Sequence, residues 1–248
     1  MVHYGRRKSW LKNRKCRCDG VKEFKNSPIR TSAPIVPGCS TSTADMFRKM
    51  ILTTIPGLTF EPAGHIYRWC GKVVPSVTQL TKQLATFVGN NEAAMELGIK
   101  VHLTAHLDDI GDLDEASLGE PLAGYLKAWR AWKTKNRAEI LGSEVPLYNE
   151  MHGYAGTPDK YAVLHFLNSR RMTRAVVDIK TGEWYPSYGP QLAGYRALIE
   201  PRLGVRIRER LGVALQPDGT YEEREYTDPN DMAAFLGCLA QYRFKEKA

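Results

Sequence analysis

Residues 174–199 read RAVVDIKTGEWYPSYGPQLAGYRALI, and this stretch decides the fold. Ala175, Val176, Val177 and Ile179 make an apolar β-type run, and the two-residue period of a strand puts Asp178 and Lys180 on one face while Ile179 points into the core. A Gly- and Pro-containing loop follows, and Tyr188 to Ile199 returns to helical texture. An ionised carboxylate inside such a strand is costly unless a cation or strong donors compensate it, so Asp178 requires a partner.

Working outward, Glu139 to Tyr148, Gly153 to Leu164 and Arg174 to Thr181 read as three consecutive strands, with Asn168-Ser169-Arg170-Arg171 suited to a hairpin tip. Asp159 then lies near the middle of the second run. Upstream, Gly57 to Val74 looks like short strands around the turn Pro62-Ala63-Gly64, and Ser76 offers an N-cap for a helix through about Leu84. A helix from about Asn91 carries Ala94, Leu97, Val101 and Ala105, and another spans about Leu118 to Lys135 with Leu122, Leu126 and Trp129 on one face. Downstream, Val205 to Leu215 and Tyr221 to Tyr226 flank the turn Pro217-Asp218-Gly219, and a final helix from Pro229 to Lys245 has Asp228 as a cap candidate. The order predicts an α+β (α/β/α) body with a central mixed β-sheet flanked by helices.

Charge and composition set the boundaries. The chain has 248 residues, 43% hydrophobic and 25% charged, and no apolar run of about eighteen residues that would span a bilayer. Its net charge of +8 belongs to residues 1–30, where ten Lys/Arg face Asp19 and Glu23; the remainder is neutral. Residues 1–43 are expected to be a basic, disordered arm and Pro/Ser/Thr-rich linker, and residues 44–248 the folded domain. Such an arm adds salt-sensitive attraction to phosphate backbones, with a solvated terminus as the alternative. Five scattered cysteines argue against a disulfide framework and for a reducing compartment; with no secretory signal, the expected location is the cytoplasm.

Asp159, brought beside Asp178 by a hairpin, would make with a backbone carbonyl such as that of Ile179 a hard-oxygen site suited to Mg²⁺ or Mn²⁺, and a phosphodiester would supply further oxygens. Lys180 would orient an attacking water or stabilise developing charge. A D-x-K triplet or a Pro-Asp pair alone is a pattern that chance produces.

The neighbours give it context. Pro158-Asp159 followed by Asp178-Ile179-Lys180 resembles the signature of the PD-(D/E)XK nucleases, whose fold is a restriction-endonuclease-like core. Gln191-Leu192-Ala193-Gly194-Tyr195 is similar to the Q-x-x-x-Y motif of the RecB-like and lambda-exonuclease-like branch, in which the Gln and Tyr approach the active site and DNA. Gly98 to His102 resembles that branch's G-x-x-x-H helix motif, whose His adds a metal ligand. Glu144 falls where many relatives carry an acidic residue. The resemblance spans about Gly57 to the C-terminus and implies a phage-type deoxyribonuclease, an exonuclease of DNA recombination, repair or phage replication: Asp159 and Asp178 holding Mg²⁺ or Mn²⁺, Lys180 acting on water, Gln191 supporting Lys180 or the phosphate. Only Cys238 lies near the C-terminus, so the iron–sulfur cluster of some relatives is not expected.

Trp184 and Tyr185, just after the Asp178 strand, are candidates for stacking on unpaired bases. Packing alternatives stand beside these assignments: His106 competes with His102, Glu144 lines a strand surface, Gln191 and Tyr195 form a core edge one helical turn apart, and loop aromatics pack. The expected partners are single- or double-stranded DNA and, for a phage-encoded enzyme in its host's cytoplasm, a single-strand-annealing or other recombination protein. Function alternatives are a catalytically silent nucleic-acid-binding recombination accessory and an endonuclease of the same superfamily.

Overall fold

In the computed structural model, residues 52–85, 92–165 and 172–247 are described, all within the unit spanning residues 38–248. The basic arm, the linker, Asn91 and the hairpin tip at Asn168 to Arg171 lie outside the described residues. Among the described residues, ten strands and five α-helices follow in order. They are β1 (Leu58–Glu61), β2 (Ile66–Trp69), β3 (Lys72–Val74), α1 (Val77–Thr81), α2 (Glu92–Ile110), α3 (Leu122–Asn136), β4 (Glu139–Ser143), β5 (Leu147–Asn149), β6 (Tyr154–Gly156), β7 (Lys160–His165), β8 (Met172–Lys180), α4 (Tyr188–Leu203), β9 (Glu209–Leu215), β10 (Tyr221–Glu225) and α5 (Asp231–Lys245).

The central sheet has the order β10-β9-β8-β7-β4 and is mixed: β8 pairs parallel with β9, and every other neighbour is antiparallel. The parallel pair is possible because α4 carries the chain back along the sheet between them. Side-chain alternation then divides the interior. Tyr161, Val163 and Val176 face α1, α4 and α5, where Leu80, Leu192, Leu198 and Phe235 close one core. Ala162, Leu164, Ala175, Val177 and Ile179 face α2 and α3, where Val101, Ala105, Trp129 and Trp132 close the other. Trp129 and Trp132 stack at 5.0 Å with both rings wholly buried. Each removes about 200 Å² from water, an upper contribution of about 5 kcal/mol. The α+β class and the helix-flanked mixed sheet are thus as expected.

Several boundaries differ, and backbone chemistry explains them. The run Glu139 to Tyr148 is two strands, as is Gly153 to Leu164, and β5 pairs with β6 in a small sheet of its own. Pro146 and Pro158 cannot donate to a ladder, so each breaks its run. Asp159 therefore sits in the bend before β7, not within a strand. Its carbonyl accepts from the Glu144 amide at 2.9 Å, tying the two breaks together.

The third helix starts at Leu122, since Pro121 lacks an amide and restrains Glu120. At α1 the Ser76 cap is present as a capping box, with Gln79 N donating to Ser76 Oγ at 3.1 Å. At α5 Asn230 holds the N-cap position, and Asp228 instead accepts from the Asn230 amide at 2.8 Å in a turn ahead of the helix. Strand β9 starts at Glu209, later than Val205, because Val205 N still bonds back to Glu200 O in the helix terminus. Among the described residues no helix is long and apolar enough to cross a membrane.

Candidate active site

Strand β8 delivers Asp178 and Lys180 to the face covered by α4, and the pairing seen in the sequence follows directly from the strand period. Lys180 Nζ forms an ion pair with Asp178 Oδ2, and Asp178 is only 1% exposed. On α4, Gln191 Oε1 accepts from Lys180 Nζ at 3.4 Å, while Gln191 Nε2 donates to Tyr195 Oη at 3.2 Å. Tyr195 Oη in turn lies 3.4 Å from Thr78 Oγ1 on α1. The one-turn spacing of Gln191 and Tyr195 puts both side chains over the strand end, in a single chain of polar contacts leading to the Asp178–Lys180 pair.

Asp159 comes from the neighbouring bend. Its Oδ2 accepts from the Ile179 amide at 2.7 Å, so Ile179 meets Asp159 through its N–H while its side chain fills the core. On the far side, His102 Nδ1 lies 3.4 Å from Asp159 Oδ2 and 3.4 Å from Glu144 Oε1. His102, Glu144 and Asp159 each offer a ligand atom within 4.8 Å of the others, a group that could hold a metal ion. Asp178 is not a member of that group; its carboxylate is turned to Lys180.

The electrostatics follow from burial. Burial pushes the Asp178 carboxyl up to about 6, against the opposing pull of Lys180. Asp159 is raised for the same reason, although His102 pulls it down. For His102, burial alone would lower the pKa, but Asp159 and Glu144 outweigh it and hold the imidazole at about 9. Lys180 behaves alike: burial opposes its charge, and Asp178 and Asp159 overcome this and raise it. Three acidic side chains thus crowd together with only Lys180 and His102 as cationic partners, an arrangement that draws in positive charge. One imidazole nitrogen and carboxylate oxygens form a donor set that suits a divalent cation such as Mn²⁺, so the residues fit a metal in both charge and ligand type.

Glu144, the acidic position that the resemblance picks out and a candidate for substrate contact, lies beside His102 and Asp159. The Trp184 ring meets the Arg224 guanidinium at 4.6 Å and the Tyr188 ring edge-on at 6.4 Å. Tyr185 packs edge-on to Tyr188 at 5.6 Å. The aromatic that does reach the site is Tyr188, whose ring centroid is 4.1 Å from Lys180 Nζ and which sequence reasoning missed. Tyr67 of β2 also approaches: its hydroxyl lies 2.7 Å from Thr157 Oγ1, two residues before Asp159, and burial pushes its pKa up to about 12. The N-terminal hairpin therefore touches the site. His106, the rival of His102, points instead to Ser143, with Nδ1 2.9 Å from its Oγ.

No family model matches the chain, and no curated protein matches it in sequence. Among solved structures it is similar to a candidate exonuclease from Eubacterium rectale, with a TM-score of 0.37 and 12% identity over 71% of this chain and 74% of that one. At that distance the functional reading rests on the site alone.

Proposed function

We propose that this chain is a divalent-metal-dependent deoxyribonuclease that hydrolyses phosphodiester bonds from DNA ends. The observation that carries the reading is the juxtaposition, across Asp159 and Ile179, of a His–Glu–Asp group with a buried Asp178–Lys180 pair. His102, Glu144 and Asp159 would hold the ion, with Asp178 as the further carboxylate that the sequence resemblance supplies. Imidazole among the donors favours Mn²⁺ over Mg²⁺. When bound, the cation supplies charge to the scissile phosphate and lowers the pKa of a nearby water.

The chain's own groups would do the rest. Lys180 stays charged between Asp178 and the Tyr188 ring and is placed to hydrogen-bond a water or a non-bridging phosphate oxygen. Gln191 fixes its direction, Tyr195 holds Gln191, and Thr78 holds Tyr195. The preference for ends over internal bonds rests on the Gln191 to Tyr195 motif.

Digestion of end-labelled single- and double-stranded DNA with and without Mn²⁺, beside Asp159→Ala, Lys180→Ala and a covalently closed circle, tests this. Metal-dependent loss of label from linear DNA, an intact circle and at least a ~10²-fold slower rate in both variants are expected, in line with removal of transition-state charge stabilisation. Intact linear DNA in the parent, or variants as fast as the parent, would overturn it, and a cut circle would overturn the end preference.

A further inference from the structure

The three residues of the candidate metal group come from three separate segments: His102 from α2, Glu144 from the turn after β4, and Asp159 from the bend before β7. A second, buried polar cluster joins the same three segments. Lys160, adjacent to Asp159, is wholly buried; its Nζ donates to Ser143 Oγ at 2.7 Å and lies 3.0 Å from Asp109 Oδ2. Ser143 is adjacent to Glu144. Asp109 lies seven residues beyond His102 on α2, about two turns along the same face. His106, between them, closes on Ser143 at 2.9 Å. The far side is also held: Asp109 Oδ1 accepts from Trp129 Nε1 at 2.9 Å and Lys133 Nζ at 2.7 Å, both on α3.

A buried ion pair is a poor source of net stability, because desolvation offsets much of the attraction, and an apolar pair of equal volume would serve the core as well. What directional bonds add is register. Two of the segments that carry a metal-group residue contribute, at its neighbour or within two turns, a partner of Lys160, and the third contributes Lys160 itself. We propose that Lys160, Asp109 and Ser143, with His106, are positioning residues that hold His102, Glu144 and Asp159 at the mutual spacing a divalent cation requires. This deepens the metal-dependent reading above and rests on it for the identity of the ligand, though the positioning itself is a property of the metal-free protein.

The test uses two variants of the full chain, Ser143→Ala and the paired Lys160→Met with Asp109→Asn, the latter leaving no lone buried charge and keeping an acceptor for Trp129. Native-state amide exchange reads the positioning without metal. The Glu144 amide, bonded to Asp159 O, and the Ile179 amide, bonded to Asp159 Oδ2, should exchange about tenfold faster or more, while the core amide of Val177 stays within about twofold of the parent. Calorimetric titration with MnCl₂ should show affinity reduced about tenfold or more in both variants. Equal acceleration at Val177, or unchanged exchange at Glu144 and Ile179, would overturn the proposal and make the cluster a purely structural one. Unchanged Mn²⁺ affinity despite faster local exchange would overturn it also. A parent that binds no Mn²⁺ would instead sink the metal reading, and the exchange pattern would still decide whether the cluster positions those residues.

Discussion

At Glu144 the backbone takes φ 53°, a left-handed conformation that a side chain with a Cβ adopts at a cost, and it does so beside His102 and Asp159. Glycine carries no such cost. Glu144→Gly should therefore be more stable than Glu144→Ala by about 1 kcal/mol in urea denaturation, reversing the usual order of the two residues, while both lose Mn²⁺ affinity. His102 gives a pH prediction. Its raised folded pKa means that protonated His102 stabilises the metal-free fold fully below the unfolded value near 6.5, and that this contribution is lost as pH rises through about 9. Metal and proton compete for the ring, so Mn²⁺ affinity should climb with pH by up to about tenfold per unit between pH 7 and 9 and climb less steeply in His102→Gln. Titration calorimetry across that range checks both. At this scale Asp178, Lys180 and Gln191 were readable because strand and helix periods fix which side chains share a face. Glu144 was only half readable: its acidity showed, but its place in the metal group depends on a turn whose closure, the 2.9 Å bond to Asp159 O, is tertiary.

Among the elements, the helices and the β8–α4 unit were legible from apolar period, and three of the boundary errors fell at proline. Pro121, Pro146 and Pro158 each stop an element that hydrophobicity alone would have continued. The separate β5–β6 sheet was not legible, since three-residue strands carry almost no period to read. Close packing of elements sets a sharper expectation. Gly124 lies on α3 against the β9–β10 turn, where an added Cβ would overlap the Pro217 carbonyl oxygen, which is backbone and cannot swing away. Alanine at a helical glycine ordinarily gains about 1 kcal/mol. Gly124→Ala should instead destabilise by about 2 kcal/mol or more, read as a fall in melting temperature, because overpacking against backbone outweighs propensity.

Over the whole molecule, the charge of residues 1–30 and the neutrality of the remainder predict a division of labour. Deleting residues 1–43 removes the whole net charge of +8 and leaves Leu52, a core residue whose amide bonds to Leu141 O at 2.9 Å, in place. The shortened chain should melt within a few degrees of the parent, and its Mn²⁺-dependent cleavage at saturating DNA should stay within about twofold, while the slope of log affinity against log salt becomes shallower as phosphate contacts are lost. The parallel β8–β9 pair has one more consequence, for time rather than energy. Its partners are joined only through α4, and the proposed site draws on positions from His102 to Gln191, so no local hairpin assembles it. Pairings of that separation form late, after the antiparallel neighbours have collapsed. The proposed hydrolytic activity should accordingly appear in refolding as a lag behind the recovery of helix and sheet, and a chain interrupted before α4 lacks two groups of the proposed site, Gln191 and Tyr195.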